Sequence, residues 1–504
     1  MIEAGVPVTL VTAVLPVVVL SMAMADEIHL LERLGRRLAG DPAGGVARAL
    51  PGAVAQVRRP VVLTSLTTAA GFLSFAAAPI EPLVHFGLFA AWGLLAAMIL
   101  TFTLIPALVV VTPPSWWLPR RRPERRHRST LERFVIRREG RAFWLALLLV
   151  VPAAIGWPRL SVQDSWVENF SADAPLVEAE RRINRDLWGT YRADVVLEGP
   201  EPGYFFRHEG LHLLEEARRR AAAAPETGGT VSLLDAYASV ARAHRIEGAV
   251  SELPADELAR LTAWVRAGAV RGRLWELATP DGSAVRLRVL VESADYERGQ
   301  ALTSYLEREM ASLTAGSPVE THLSGDVPVA LAVVGAIVRS QLRSVALTVA
   351  VVALLLALVW RSFRRAAVAV APSLMAAGVI LGIMGWLGWP LGIASSMFTA
   401  LTIGVGVDFA VHFQERYHRL RRDGAGHRRA VRDTVSVTGP ALRANAWVLA
   451  AGLGVLVSSS LPPNRALGAL LAAALLLCWA ATLLLTPRML RGAASRPPLE
   501  TRLQ

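Results

Sequence analysis

The sequence predicts a polytopic α-helical membrane protein, built on an internal repeat, with one extracytoplasmic α+β domain. Three observations predict it. The 504 residues are 53 % hydrophobic with a mean hydropathy of +0.41, too apolar for a soluble chain of this length. Apolar runs long enough to cross a bilayer recur nine times, at roughly 8–31, 61–78, 84–111, 142–157, 342–360, 366–386, 391–413, 441–461 and 465–486. The first hundred residues are echoed near the C-terminus at a nearly fixed offset.

The stretch from Gly388 to Tyr417 carries the chemistry. Pro390 opens it, and Leu391 to Phe413 is an apolar span with one internal carboxylate, Asp408. A charge inside a membrane helix is costly and marks a candidate functional site. Gly404, Asp408, His412 and Glu415 follow one another at steps of four, four and three, which places them on one helix face. Gly5, Pro7, His29, Glu32 and Arg33 lie 383 residues before Gly388, Pro390, His412, Glu415 and Arg416. The acid alone slips: Asp26 is three residues before His29, Asp408 four before His412. Downstream the offset is 381, and Gly71, Pro82, Gly87, Thr101 and Pro106 answer Gly452, Pro463, Gly468, Thr482 and Pro487. An internal repeat of this size is the usual sequence trace of a secondary transporter.

Charge sets the orientation. The net charge is +12, and every one of the 53 basic residues is arginine. They gather in segments 33–59, 113–141 (ten arginines) and 414–440, around Arg361, Arg364 and Arg365, and after Pro487, whereas the turns Pro79–Pro82 and Leu387–Pro390 carry none. The positive-inside rule makes the basic segments cytoplasmic loops. The high pI therefore reports topology and not a nucleic-acid surface; the 113–141 linker also suits anionic lipid. No cleavable signal peptide is expected before the first span. The single cysteine, Cys478, lies in an apolar run and excludes internal disulfides and thiolate metal clusters.

Residues 158–340 fall on the far side of the membrane by this topology and are charged and mixed in period. Arg192–Glu198, Ala284–Glu292 and Val319–Ser324 read as strands; Glu209–Ala222, Leu233–His244, Ala255–Val270 and Tyr296–Leu313 read as helices. The alternation suggests an α+β domain of split βαβ type. His208 and His212 stand one helical turn apart with no third ligand nearby, which favours a solvated helix face over a metal site. No nucleophile–base pair appears, so neither an enzyme nor a bound cofactor is expected.

The segment Gly404-Val-Gly-Val-Asp408-Phe-Ala-Val-His412-Phe-Gln-Glu415-Arg416-Tyr417 resembles the tenth helix of the resistance-nodulation-division superfamily, closest to its MmpL-like, sterol-sensing-domain-like exporters. Ala25-Asp26-Glu27-Ile28-His29-Leu30-Leu31-Glu32-Arg33 is similar to the matching fourth-helix motif. The resemblance implies helices four to six over 1–111, a basic cytoplasmic linker over 112–141, helix seven over 142–157, a porter-like domain over 158–340, helices eight to twelve over 341–490, and a cytoplasmic tail over 491–504. The family has twelve spans in two halves, so a separately encoded or missing N-terminal piece of three helices and one porter domain is expected.

Such a protein is expected to be a proton-motive-force-driven exporter of lipids or other amphiphiles across the bacterial inner membrane. Its partners would be hydrophobic substrate, membrane lipids and protons, with no nucleic acid. The resemblance assigns the proton relay to Asp408, Asp26 and Glu27. His412 and His29 read either as relay members or as interfacial helix residues. Gly404 and Gly406 would let a second helix approach. A structural reading of Asp408 stays open, with Asn445, Thr399 or Thr402 satisfying the acid, as does a cytoplasmic-end position for Asp26 and Glu27. The family pattern has Asp-Tyr where this chain has Asp408-Phe409 and Asp26-Glu27, and Met22 stands where a glycine is expected. The alternative functions are a non-transporting sterol-sensing-like scaffold and a Sec-type translocation accessory.

Overall fold

The computed structural model describes residues 1, 5–9, 11–41, 45–78, 80–117, 129–161, 167, 170–269, 276–292 and 296–491. The linker arginines between 120 and 128, Pro79 and the tail from 492 lie outside the described residues. The chain divides into two compact units, Met1–Val162 with Ile337–Gln504, and Gln163–Ala336.

The first unit is helical. It contains α1 (Leu15–Gly40), α2 (Gly45–Leu73), α3 (Glu81–Val111), the single turn α4 (Pro114–Trp117), α5 (Thr130–Arg137) and α6 (Glu139–Gly156). After the second unit it resumes with the apolar part of a long helix, Leu342–Trp360. Then come a helix over Phe363–Leu387, one over Ile393–Arg422, one over His427–Gly454 and one over Pro462–Arg491. Among the described residues, nine helices are long and apolar enough to cross a membrane, the number read from the apolar runs. The helices outrun those runs. Segments 33–59 and 414–440, expected as loops, are largely helical, with α1 reaching Gly40 and α2 starting at Gly45. Arginine, glutamate, leucine and alanine are all good helix formers, so the helix continues where the apolar surface stops.

The second unit contains α7 (Pro175–Asp186), β1 (Tyr191–Glu198), α8 (His208–Ala222), β2 (Thr227–Val231), α9 (Leu233–Ala243), α10 (Ala255–Ala269), β3 (Ala284–Val291), α11 (Tyr296–Leu313) and β4 (Glu320–Ser324). The long helix α12 (Asp326–Trp360) starts here, and α13, α14, α15 and α16 denote the four helices that follow it. The sheet order is β2-β3-β1-β4 with every neighbouring pair antiparallel. That is the split βαβ arrangement, with α9 and α10 inserted between β2 and β3. Alternate residues Ala193, Val195 and Leu197 of β1 and Val285, Leu287, Val289 and Val291 of β3 are buried beneath the helices. In this unit α7 and β2 were absent from the sequence reading, as were α4 and α5 of the first unit, within the segment expected as a basic linker. The strand β2, Thr-Gly-Gly-Thr-Val, sits at the sheet edge, where glycines give little strand signal. His208 Nε2 meets the Leu253 carbonyl at 2.6 Å and His212 is exposed.

The repeat governs how the membrane helices pack. α14 lies on α2, and its counterpart α1 lies on α15. The short 3-10 turns Ser74–Ala77 and Val455–Ser458 end α2 and α15 at the same offset of 381. Gly87 of α3 abuts Phe72 and Phe75; its counterpart Gly468 of α16 abuts Leu453 and Leu456, the equivalent positions. Of the candidate span windows, that of α14 is 94 % buried within the protein and that of α3 only 17 %, so α14 is the most enclosed of the spans and α3 the least.

Candidate functional site

The site is built where α1, α2 and α14 meet. Successive residues of a helix differ by about 100°, so a face holds every third or fourth residue. On α1 that face carries Met22, Ala25, Asp26 and His29; on α14 it carries Val405, Asp408 and His412. Asp26 and Asp408, one acid from each repeat, line a single small cavity. Asp26 is 7 % exposed, and Asp408 is partly buried.

The hydroxyls that hold the acids come from α2. Ser65 Oγ donates to Asp26 Oδ2 at 3.0 Å. Thr68 Oγ1 donates to Asp408 Oδ1 at 3.4 Å and to the Gly404 carbonyl at 3.0 Å. Asn445, Thr399 and Thr402, the expected partners of Asp408, make no hydrogen bond to it among the described residues; Thr402 Oγ1 and Asn445 Oδ1 are buried without a partner. Sequence reasoning missed Ser65 and Thr68. The available signal was the dense run Thr64-Ser65-Leu66-Thr67-Thr68 inside an apolar span. Thr64 and Thr67 turn their hydroxyls back to their own helix carbonyls, which leaves Ser65 and Thr68 to face outward. These two supply the hydroxyls that Phe409 and Glu27 lack.

Close helix approach makes this possible. A Cβ on Gly71 of α2 would stand 3.2 Å from the Cα of Gly404. In the other repeat a Cβ on Gly452 would stand 2.5 Å from Ser21 Oγ, so Ser21, 383 residues before Gly404, takes the small-residue role. The expected glycine therefore falls one residue before Met22. Gly406 does not belong to the site: it faces Cys478 of α16 and Ser373 of α13, because two residues along a helix turn the side chain by about 200°. Glu27, one residue past Asp26, is likewise turned away and does not line the cavity.

Polar groups extend the site in both directions. Beyond Gly71, Ser74 Oγ lies 2.6 Å from Thr348 Oγ1 and 3.2 Å from Ser344 Oγ, all three buried. On the opposite side, the His29 and His412 rings stack with centroids 3.9 Å apart. They open into a second cavity lined by the arginine-bearing ends of α1 and α14. A file of hydroxyls, carboxylates and imidazoles thus runs along α1, α2, α12 and α14.

The MMPL family model matches residues 7–162 and 239–502. The chain belongs to the MMPL family. This MMPL protein is 32 % identical over 109 residues to MJ1562, a presumptive membrane protein of Methanocaldococcus jannaschii, a match covering 22 % of this chain and 28 % of that one. Its fold is similar to the cryo-EM structure of the hedgehog release protein Disp from the water bear Hypsibius dujardini, with a TM-score of 0.62 and 15 % identity. The match covers 95 % of this chain and 63 % of Disp, so the MMPL chain spans less than two thirds of either relative. At that identity the likeness to Disp is one of fold. The family and the nine spans make it a multi-pass membrane protein.

Proposed function

We propose that this chain forms the proton-coupling core of an exporter of hydrophobic or amphiphilic molecules, working in the bacterial cytoplasmic membrane with residues 158–340 on the outer side. The supporting observation is that one acid from each repeat enters a shared cavity on a polar file. A bilayer interior disfavours a carboxylate by about 2.5–3.5 kcal/mol on insertion scales, so two such acids are retained against a cost. The hydrogen-bond arithmetic favours a site that exchanges protons. The single hydroxyl hydrogen of Thr68 is shared between Gly404 O and Asp408. With a proton on Asp408, the acid can donate to Thr68 Oγ1 while Thr68 donates to Gly404. When the proton leaves, the Thr68 hydrogen must turn to the carboxylate, and the α2–α14 contact changes with it. Each inward proton releases about 2.3 kcal/mol per 100 mV, which the change of contact can spend on moving substrate. Such a role is transport, not catalysis of a covalent reaction.

The test is substrate efflux and proton flux in vesicles. Asp408→Asn keeps size and hydrogen bonding but removes titration. It should abolish proton-coupled flux at normal expression, and Asp408→Glu should retain part of it. Wild-type flux from Asp408→Asn would remove the acid from the mechanism. An absence of any substrate-dependent flux in the wild type would favour the scaffold reading.

A further inference from the structure

Below the stacked histidines the repeat continues in a way the proton reading does not use. His29-Leu-Leu-Glu32-Arg33-Leu-Gly-Arg36 on α1 and His412-Phe-Gln-Glu415-Arg416-Tyr-His-Arg419 on α14 are two copies of one pattern, position for position at the 383 offset. The histidine, glutamate and both arginines of each copy line the same cavity, so four guanidinium groups converge where two helices leave the bundle.

The glutamates there are already engaged. Glu32 pairs with Arg36 at 3.1 Å, and Arg36 also donates to the Val437 carbonyl at 3.0 Å. Glu415 accepts from the Trp360 indole at 2.7 Å and faces Arg59 at 3.9 Å. Arg33, Arg416 and Arg419 enter none of the salt bridges formed among the described residues. Among the described residues, the buried Arg416 Nε and His29 Nε2 of this cavity meet no hydrogen-bond partner, and His29 is 6 % exposed. Converging cations with unfilled buried N–H capacity are stabilised by an oxyanion, and the planar guanidinium fork matches phosphate oxygens. The cavity lies at the arginine-rich ends of the α1 and α14 spans, and basic pockets between helices at such ends take anionic head groups.

We propose that this duplicated pattern builds a binding site for a phosphate group at the cytoplasmic mouth of the polar file. The phosphate is either the head group of an anionic phospholipid or a free phosphate. The inference does not require the relay to work, since it concerns equilibrium binding.

The test uses the purified full chain in detergent, read by native mass spectrometry and by thermal shift. Short-chain phosphatidylglycerol, phosphatidylcholine and inorganic phosphate are titrated separately. Phosphatidylglycerol should bind saturably and phosphatidylcholine should not. Arg33→Gln with Arg416→Gln should weaken binding by about tenfold or more, as expected for loss of charge-assisted bonds. Arg33→Lys with Arg416→Lys keeps the charge and guards against misfolding; it should weaken binding less. Arg429→Gln, an exposed arginine outside the cavity, should change nothing. Arginine-dependent binding of phosphatidylglycerol alone assigns a lipid; equal dependence for inorganic phosphate assigns a free anion. Binding of neither anion, or binding indifferent to the Arg33 and Arg416 substitutions, overturns the proposal.

Discussion

Thr68 has one hydrogen to give and two acceptors to serve, and the proposed proton-coupling role turns on that shortage. A structural acid would be expected to be fully satisfied, since an unmet buried charge is expensive. Here the acid receives a long 3.4 Å bond from a hydroxyl that already serves the Gly404 carbonyl at 3.0 Å. Thr68→Val keeps the shape and removes the hydroxyl. It should slow proton-coupled flux by roughly tenfold or more, the kinetic equivalent of a hydrogen bond to a charged group, with expression little changed. Thr68→Ser should restore most of the rate. Ser65→Ala should act in the same direction through Asp26. Equal flux in Thr68→Val and wild type would show that the hydroxyl only fills space.

At the scale of the element, α2 is the helix that sequence reasoning undervalued. Asp408 stood out because a lone charge in an apolar run is conspicuous. Ser65 and Thr68 did not, because hydroxyls are ordinary in membrane helices and most, like Thr64 and Thr67, bond their own backbone. The face of a helix that meets its neighbour depends on crossing geometry, which a single sequence does not display; for that reason Asn445, Thr399 and Thr402 read as the eligible partners of Asp408 and Thr68 did not. The crossing itself rests on Gly71. Gly71→Val would push a branched side chain into α14 beside Gly404 and should cost about 1–3 kcal/mol, seen as a lower melting temperature in detergent. Gly454→Ala, a position facing open space, should leave the melting temperature unchanged or slightly raised. A second element-level anchor is α5. Its Glu132 is buried, caps its own helix start with Ser129, and pairs with Arg443 of α15 at 2.6 Å. Arg443→Ala should therefore destabilise by about 3–5 kcal/mol because it strands a buried carboxylate, whereas Arg429→Ala at the exposed end of α15 should cost little. Similar melting curves for the two would mean that α5 is not anchored by this pair.

At the scale of the whole molecule, the nine spans and the repeat were legible because both are coarse signals. A span needs only length and apolarity, and the offsets 383 and 381 survive any local substitution. The orientation rests on the same kind of signal. A reporter fused at Gly424 should read cytoplasmic and one at Glu226 extracytoplasmic; the same side for both would invalidate the span assignment. The element ends were less legible, because arginine-rich helix flanks look like loops to a hydropathy reading.

The one-residue slip of the acid also makes the two halves inequivalent at the cavity. At the offset of 383, Asp408 answers Ala25 and not Asp26, and at 381 the counterparts of Ser65 and Thr68 are Ala446 and Leu449. Two copies of the second half would bring two acids together with no hydroxyl to receive them. The acids come one from each repeat and the hydroxyls from the first repeat alone, so at this cavity neither copy can stand in for the other.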